Sequence, residues 1–229
     1  MRKIVVGAFV SLDGVMQAPG GPEEDRSGGF EHGGWLVPHW DDAVGAGIEQ
    51  TFKEPYDLLL GRKTYDIFAA HWPHVQKDPA AEDYDAGSAE MGRAFDAVTK
   101  YVATHRPESL NWHNSKALGG DVVASLRALK RSEGPRLLTQ GSTELLHTLL
   151  AADLVDELRI LTFPVVLGKG KRLFADGAAA SFKLTSNGIS PSGVVIAAYE
   201  RVGGIATGSF ALAEPTPEEL ERRARAKRV

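Results

Sequence analysis

Apolar and polar positions along the chain follow two patterns, continuous apolar runs and stretches with helical spacing. Runs rich in Val, Ile and Leu are typical of strands buried on both faces of a parallel sheet. The predicted strands are 3–12, 56–61, 100–104, a brief one at Asn111–Asn114, and 136–139. The predicted helices are 41–53, a helix beginning at Arg62 and reaching 69, 90–98, 121–131 and 144–152. This alternation predicts an α/β fold with a central, mostly parallel sheet and flanking helices.

The C-terminal third has a different pattern. Residues 181–187 and 194–200 alternate as an antiparallel hairpin does, and 206–212 predict one more strand. Thr216, Pro217 and Glu219 then form an N-cap, a first-turn proline and a capping-box glutamate, which predict a terminal helix. The segment Arg222–Arg228 places positive charge at the C-terminal end of that helix. We therefore expect one domain over 1–202 and a C-terminal extension over 203–229.

A long segment rich in glycine and proline joins the first strand to the first helix, over residues 13–38. Long ordered loops in compact domains are often functional lids. Within it, Phe30 and Trp35 lie among glycines, so the aromatic rings are candidates for closing over a flat ligand. The alternative is a mobile surface loop.

Composition excludes several classes of function. The chain has 229 residues, 43% apolar and 24% charged, as soluble globular proteins do, and its net charge of −4 favours neither nucleic acid nor an anionic membrane as partner. It has no cysteine, which excludes disulfides and thiolate-bound metal. His71 and His74 are separated by Pro73, which disfavours one helical face, so no metal is expected. No apolar run reaches the roughly 18–20 residues of a membrane span, and we expect a cytoplasmic protein.

Polar or small residues follow four of the predicted strands. In open α/β sheets, ligands bind outside the carboxyl ends of the strands, and arginine and hydroxyl groups there suit phosphate contacts. A turn that opens a helix also leaves free backbone N–H groups for a phosphate, although an ordinary βα turn has the same composition. The four ends are Ser11-Leu12-Asp13-Gly14, Gly61-Arg62-Lys63-Thr64, Thr104-His105-Arg106 and Gln140-Gly141-Ser142-Thr143.

These turns, in this order, carry a family resemblance. Together with Leu154-Val155-Asp156-Glu157-Leu158 and Pro164-Val165-Val166-Leu167-Gly168-Lys169-Gly170, they resemble the dihydrofolate reductase-like superfamily. Within it, the chain is similar to stand-alone proteins related to the reductase domain of bacterial riboflavin biosynthesis. The resemblance covers roughly residues 1–202. It implies a dihydrofolate reductase-like fold that binds NADPH.

The resemblance also implies roles for individual residues. The turn after the second strand would approach the cofactor phosphates, the end of the third strand would contact the 2′-phosphate region, and the turn before residue 144 would cradle the diphosphate. The loop from Asp13 to Met16 would lie near the nicotinamide and the substrate. The implied cofactor-binding residues are Gly14, Gly61, Arg62, Lys63, Thr64, Thr104, His105, Arg106, Gln140, Gly141, Ser142 and Thr143.

Two features depart from the folate-reducing members. Those members have consecutive glycines where this chain has Gln140-Gly141-Ser142, so Gln140 is expected to meet the ligand differently or the local path to differ. They also have a carboxylate on the first helix that holds the pterin. Asp41 and Asp42 lie in that region without matching its spacing, and charge at a helix N-terminus explains them equally well. Folate is therefore not the expected substrate.

The implied function is hydride transfer from NADPH to a small heterocyclic, ribosyl, carbonyl or imine substrate, with the protein holding both partners in register. The candidate proton sources are Asp13 and Asp42, with water as the alternative. A non-catalytic nucleotide-binding protein of the same fold is the second hypothesis, and nucleic-acid binding through the basic tail is the third. A homodimer is compatible with the resemblance.

Overall fold

The computed structural model describes residues 1–174 and 178–226, and it contains one eight-stranded sheet. The strands are β1 (Ile4–Ser11), β2 (Tyr56–Gly61), β3 (Lys100–Ala103), β4 (Ser115–Ala117), β5 (Arg136–Thr139), β6 (Glu157–Phe163), β7 (Ser181–Ile189) and β8 (Val195–Gly203). Their order is β4-β3-β2-β5-β1-β6-β8-β7. The pairs from β4 to β6 are parallel, and β6, β8 and β7 pair antiparallel. The predicted fold class is confirmed.

Helices connect the parallel strands and one follows the sheet. They are α1 (Asp42–Phe52), α2 (Arg62–His71), α3 (Ala86–Ala97), α4 (Val122–Arg131), α5 (Thr143–Ala151) and α6 (Pro217–Ala226). Three of them begin at an aspartate cap, in which the carboxylates of Asp41, Asp85 and Asp121 accept from a backbone N–H one turn ahead. Within the described residues, no helix is long and apolar enough to cross a membrane.

The continuous apolar runs are explained by burial on both faces of the sheet. On one face, Ile4, Val6 and Leu59 pack with Leu126 of α4 and Leu146 of α5. On the other face, the alternate residues of the same strands, Val5, Leu58 and Leu60, pack with Tyr65 of α2 and Phe95 of α3. The side chains on both faces are removed from water, so these strands have no polar face.

Two predicted strands are wrong. Asn111–Asn114 belongs to a turn, because Asn114 has a left-handed backbone (φ 59°) and the strand β4 begins one residue later. Residues 206–212 form no strand and pair with no other strand of the described chain, and Phe210 is fully exposed there.

The long loop after β1 packs on the core. Phe30 and Trp35 are only 3% and 7% exposed, and the Trp35 ring meets Phe163 of β6 edge-on at 5.4 Å between ring centroids. The Trp35 indole N–H donates to the carbonyl oxygen of Gln17 at 2.8 Å. The two rings therefore form neither a lid nor a mobile surface loop. Trp40, 55% exposed, is the aromatic side chain of this region that borders the cleft described below.

Candidate functional site

A cleft of about 1580 Å³ lies at the carboxyl ends of the parallel strands. It brings together three of the four strand ends identified in the sequence, those of β2, β3 and β5. The predicted residues that line it are Gly61, Arg62, Lys63, Thr64, Thr104, His105, Arg106, Gln140, Gly141, Ser142 and Thr143. The turn after β1 is absent from its lining.

Two glycines let the turns after β2 and β5 touch. The N–H of Gly61 donates to the carbonyl oxygen of Gly141 at 3.2 Å, and a Cβ at Gly61 would lie 2.0 Å from the Ser142 hydroxyl oxygen. A Cβ at Gly141, whose φ is +140°, would lie 2.7 Å from Oγ1 of Thr64. The backbone of both turns therefore forms the wall of the cleft directly, without intervening side chains.

The helix α5 begins at this wall. Ser142 is its N-cap residue and is followed by Thr143 and Glu144, with the first backbone N–H groups of the helix free of intrahelical partners. The peptide bond between Gly141 and Ser142 is cis. Within β5, Thr139 Oγ1 accepts from the Gly141 N–H at 3.3 Å, which fixes the strand end against the turn. The N-terminus of α5 therefore opens into the cleft.

Arg62 lines the cleft, but its guanidinium is largely engaged within the protein. It pairs with Asp66 one turn along α2 at 2.8 Å and donates to the Ser109 hydroxyl at 2.5 Å and to the carbonyl oxygen of Arg106 at 3.3 Å. The hydrogen bond to Asp66, together with the negative charge of that carboxylate, raises the pKa of the Arg62 guanidinium. Arg62 thus holds the segment after β3 against α2.

Lys63, His105 and Arg106 line the same end of the cleft with exposed side chains. Among the described residues, neither Lys63 nor Arg106 has an ion-pair partner within 4.0 Å. The backbone at Arg106 is fixed, since Thr104 Oγ1 accepts from the Arg106 N–H at 3.0 Å. Two free cations, one in the first turn of α2 and one on the ordered turn after β3, suit the binding of an anionic group.

Asp13 and Gly14 lie outside the cleft lining. The Asp13 carboxylate accepts from the Ser11 hydroxyl at 2.6 Å and from the N–H groups of Leu167 and Gly168 at 3.1 and 2.9 Å. The Ser11 hydrogen bond, followed by these backbone donors, lowers the pKa of Asp13 to about 2. Asp13 is thus an ionised anchor for the loop after β6, which makes it unsuited to donate a proton.

Asp42 also lies outside the lining, exposed in the first turn of α1. Its neighbour Asp41 caps the helix through the Val44 N–H at 2.9 Å and also accepts from the Ser192 N–H at 2.9 Å. The Val44 hydrogen bond, followed by those from Ser192, lowers the pKa of Asp41 to about 2. The structure therefore favours the helix N-terminal role for both aspartates.

Sequence reasoning missed other residues of the cleft. Gly119 and Gly120, just before the Asp121 cap of α4, line it, and a glycine pair ahead of a capped helix was a detectable signal. Glu24 in the loop after β1 and Glu49 on α1 also line it. No sequence signal separates these two glutamates from surface glutamates. Within the described residues, no group of three His, Cys, Asp or Glu side chains is placed to hold a metal.

Comparison with known proteins shows the family of the chain. The sequence model of the protein family described as RibD C-terminal domain matches residues 2–197 of this chain. The uncharacterized proteins YyaP and YwjB of Bacillus subtilis (strain 168) are each 25% identical to the chain. Their alignments cover 86% and 76% of this chain, and 94% and 83% of the respective relative.

Three solved structures share the fold. A riboflavin biosynthesis-like protein from Shewanella sp. PV-4 has a TM-score of 0.55 at 20% identity, over 88% of this chain and 99% of that one. Dihydrofolate reductase from Enterococcus faecalis, complexed with NADP(H) and RAB-propyl, has a TM-score of 0.51 at 14% identity. That match covers 87% of this chain and 96% of the reductase. A pyrimidine reductase-like protein from Corynebacterium diphtheriae has a TM-score of 0.51 at 13% identity, and the match covers 88% of this chain and 92% of that one.

Proposed function

Because this chain belongs to the RibD C-terminal domain family, we propose that it is an NADPH-dependent reductase. The substrate would be a small heterocyclic, ribosyl, carbonyl or imine compound. The observation that carries the proposal is the convergence of three strand ends, with two free cations and a helix N-terminus, on one cleft. NADPH supplies the hydride when bound.

The residues present fit a dinucleotide. The turns after β2 and β5 approach each other so closely at Gly61 and Gly141 that no side chain would fit between them. At Gly120 a Cβ would meet nothing within 4 Å. Backbone therefore faces the cleft at these glycines. Backbone N–H groups at the start of α5 and the side chain of Thr64 would hold the diphosphate. Lys63 and Arg106 would bind the additional phosphate that distinguishes NADPH from NADH.

The size of the cleft supports a two-ligand reaction. Its volume of about 1580 Å³ exceeds the roughly 300–1,000 Å³ that is usual for one drug-sized ligand. The cofactor end contains the turns after β2, β3 and β5. The remainder is bordered by α1, α2 and α3, where a substrate would lie within the same cleft.

We propose Glu24 as the group that holds the proton, in place of Asp13 and Asp42. Glu24 lines the cleft, and one of its carboxylate oxygens accepts from the Gly20 N–H at 2.7 Å. Burial raises the pKa of this carboxyl above its usual 4.5. A raised pKa keeps part of the group protonated closer to neutral pH, as a general acid requires.

Calorimetric titration with NADPH, NADH and NADP⁺ tests the cofactor assignment. Arg106→Ala should weaken NADPH binding about tenfold, near 1.4 kcal/mol for a charge-assisted contact, and leave NADH binding unchanged. Arg127→Ala, which removes an exposed arginine from α4 outside the cleft, is the matched control. Absence of binding by all three nucleotides would refute the reductase function.

The finer assignments stay predictions. Consumption of NADPH in the presence of candidate substrates separates the reductase from a non-catalytic nucleotide-binding protein. The homodimer, the cytoplasmic location and the division of the chain at residue 202 also stay predictions.

A further inference from the structure

The cleft has a second end with different chemistry, which we call the aromatic annex. It consists of the half-buried side chains of Phe52, Phe68, Trp72 and Met91, together with Tyr56 and Phe95, the buried core residues against which they pack; all six line the cleft. These residues come from the end of α1, the start of β2, the end of α2 and the middle of α3. The proposed function assigns none of them a role.

The annex is continuous with the cofactor end along one face of α2. Thr64, Phe68 and Trp72 are spaced by four residues, so successive side chains lie on the same side, about 6 Å apart along the axis. Thr64 belongs to the cofactor turn and Trp72 to the annex. A ligand in the annex would therefore lie roughly 6–12 Å along α2 from the turn, within reach of a bound cofactor.

The walls of the annex are packed against each other. The rings of Phe68 and Phe95 stack with centroids 5.6 Å apart and planes at 13°, and Trp72 meets Phe95 edge-on at 5.1 Å. The ring centroid of Phe52 lies 5.5 Å from that of Phe95. Rings held in such mutual contact keep their positions without a ligand, so the pocket is preformed and favours a flat apolar group.

Charge differs between the two ends. Around the annex, the charged side chains that line the cleft are Lys53, Asp85 and Glu90, one cation against two carboxylates. At the cofactor end, arginine and lysine predominate. A phosphate would meet net repulsion and aromatic walls in the annex, whereas an uncharged ring would remove apolar surface from water on both sides.

We infer that the aromatic annex binds the ring-bearing end of the substrate, and that this substrate is an uncharged aromatic carbonyl or imine compound rather than a phosphorylated sugar derivative. The inference rests on the proposed reductase function, because the annex and the cofactor turns share one cleft. Its occupant follows from the apolar walls, the charge distribution and the continuity with the cofactor end.

The test uses two probes, 2-acetylnaphthalene and ribose 5-phosphate, measured by ligand-observed NMR on the full chain with and without saturating NADP⁺. Ala94→Leu on α3 adds three carbons at a position that lines the cleft beside the annex. Ala97→Leu makes the same change at an exposed position of the same helix outside the lining. NADPH affinity should stay within twofold in both variants.

We expect 2-acetylnaphthalene to bind the wild type, at least tenfold more weakly to Ala94→Leu, and within twofold to Ala97→Leu, with no detectable binding of ribose 5-phosphate. Equal affinity of wild type and Ala94→Leu for the naphthyl probe would overturn the inference. So would ribose 5-phosphate binding that Ala94→Leu abolishes. If Ala94→Leu does not fold, Met91→Trp fills the same space.

The two hypotheses fail differently. Loss of all nucleotide binding in the wild type contradicts the reductase function, whatever the probes do. Nucleotide binding without naphthyl binding contradicts only the role of the annex.

Discussion

The contact between the turns after β2 and β5 makes Gly61 the most sensitive position of the candidate site. In Gly61→Ala, the new Cβ would lie 2.9 Å from the backbone nitrogen of Ser142, as well as 2.0 and 2.8 Å from its Oγ and Cβ. Rotation of the Ser142 side chain can move Oγ away, but neither Cβ nor the backbone nitrogen moves with that rotation. Ordinary contact begins near 3.4 Å, so the turns must separate by about 0.5 Å.

The expected cost follows from this displacement. Overpacking that shifts backbone typically costs about 1–3 kcal/mol, and we expect about 2 kcal/mol lower free energy of unfolding for Gly61→Ala, measured by urea denaturation. The φ of Gly61 is −74°, which alanine adopts freely, so the loss would come from the contact alone. NADPH binding should weaken as well, because the displaced turn forms the cofactor end of the cleft.

Gly188→Ala is the matched control. Gly188 lies in β7, and a Cβ there would meet nothing within 4 Å, so alanine should be neutral or stabilise by up to about 1 kcal/mol. The double variant Gly61→Ala/Ser142→Gly removes the Oγ and Cβ contacts and should recover part of the loss as a favourable coupling energy. Equal stability of Gly61→Ala and Gly188→Ala would refute the reasoning.

Three further predictions concern charge. Burial lowers the pKa of Lys100 to about 8 from 10.5, so the unfolded chain binds more protons between these values, and stability should rise with pH across that window by up to about 3 kcal/mol. Lys100→Met should abolish that rise in urea titrations from pH 7.5 to 10.5; parallel profiles would contradict it. Asp13, with its pKa lowered from 3.8 to about 2, stabilises the fold above pH 3.8 and loses this contribution as pH falls towards 2. Asp13→Asn should flatten the acid limb of the thermal melting profile, and an unchanged limb would count against the anchor role. Arg62→Ala should increase amide hydrogen exchange of residues 104–109, since Arg62 holds that segment; exchange equal to wild type would exclude that role.

The sequence predicted the elements where pattern and burial agree. The runs at β1, β2, β3 and β5 are apolar because both faces of the sheet are covered, and that requirement is visible residue by residue. The brief strand at Asn111–Asn114 was wrong by a few residues, because a left-handed asparagine turn precedes β4 and short polar strands have little pattern of their own.

Aromatic residues show the limit of sequence reasoning most clearly. Phe30 and Trp35 were expected either as a lid or on a mobile loop, yet both pack on Phe163 or its neighbours in the core. Phe68 and Trp72, four residues apart, pack against the core and at the same time line the cleft, as does Phe52 at the end of α1. Spacing identifies a buried face of a helix but not whether that face meets another element or a cavity.

The amino-acid sequence by itself determined the fold class and the turns that meet at the cofactor end, since these depend on local apolar runs and on glycine and polar residues at strand ends. Tertiary structure alone decided which charges remain free. Arg62 and Asp13 have side chains suited to function, but partners distant in the chain, Ser109 for one and Gly168 for the other, engage them. A side chain's availability depends on contacts between segments far apart in sequence, and no local pattern contains that information.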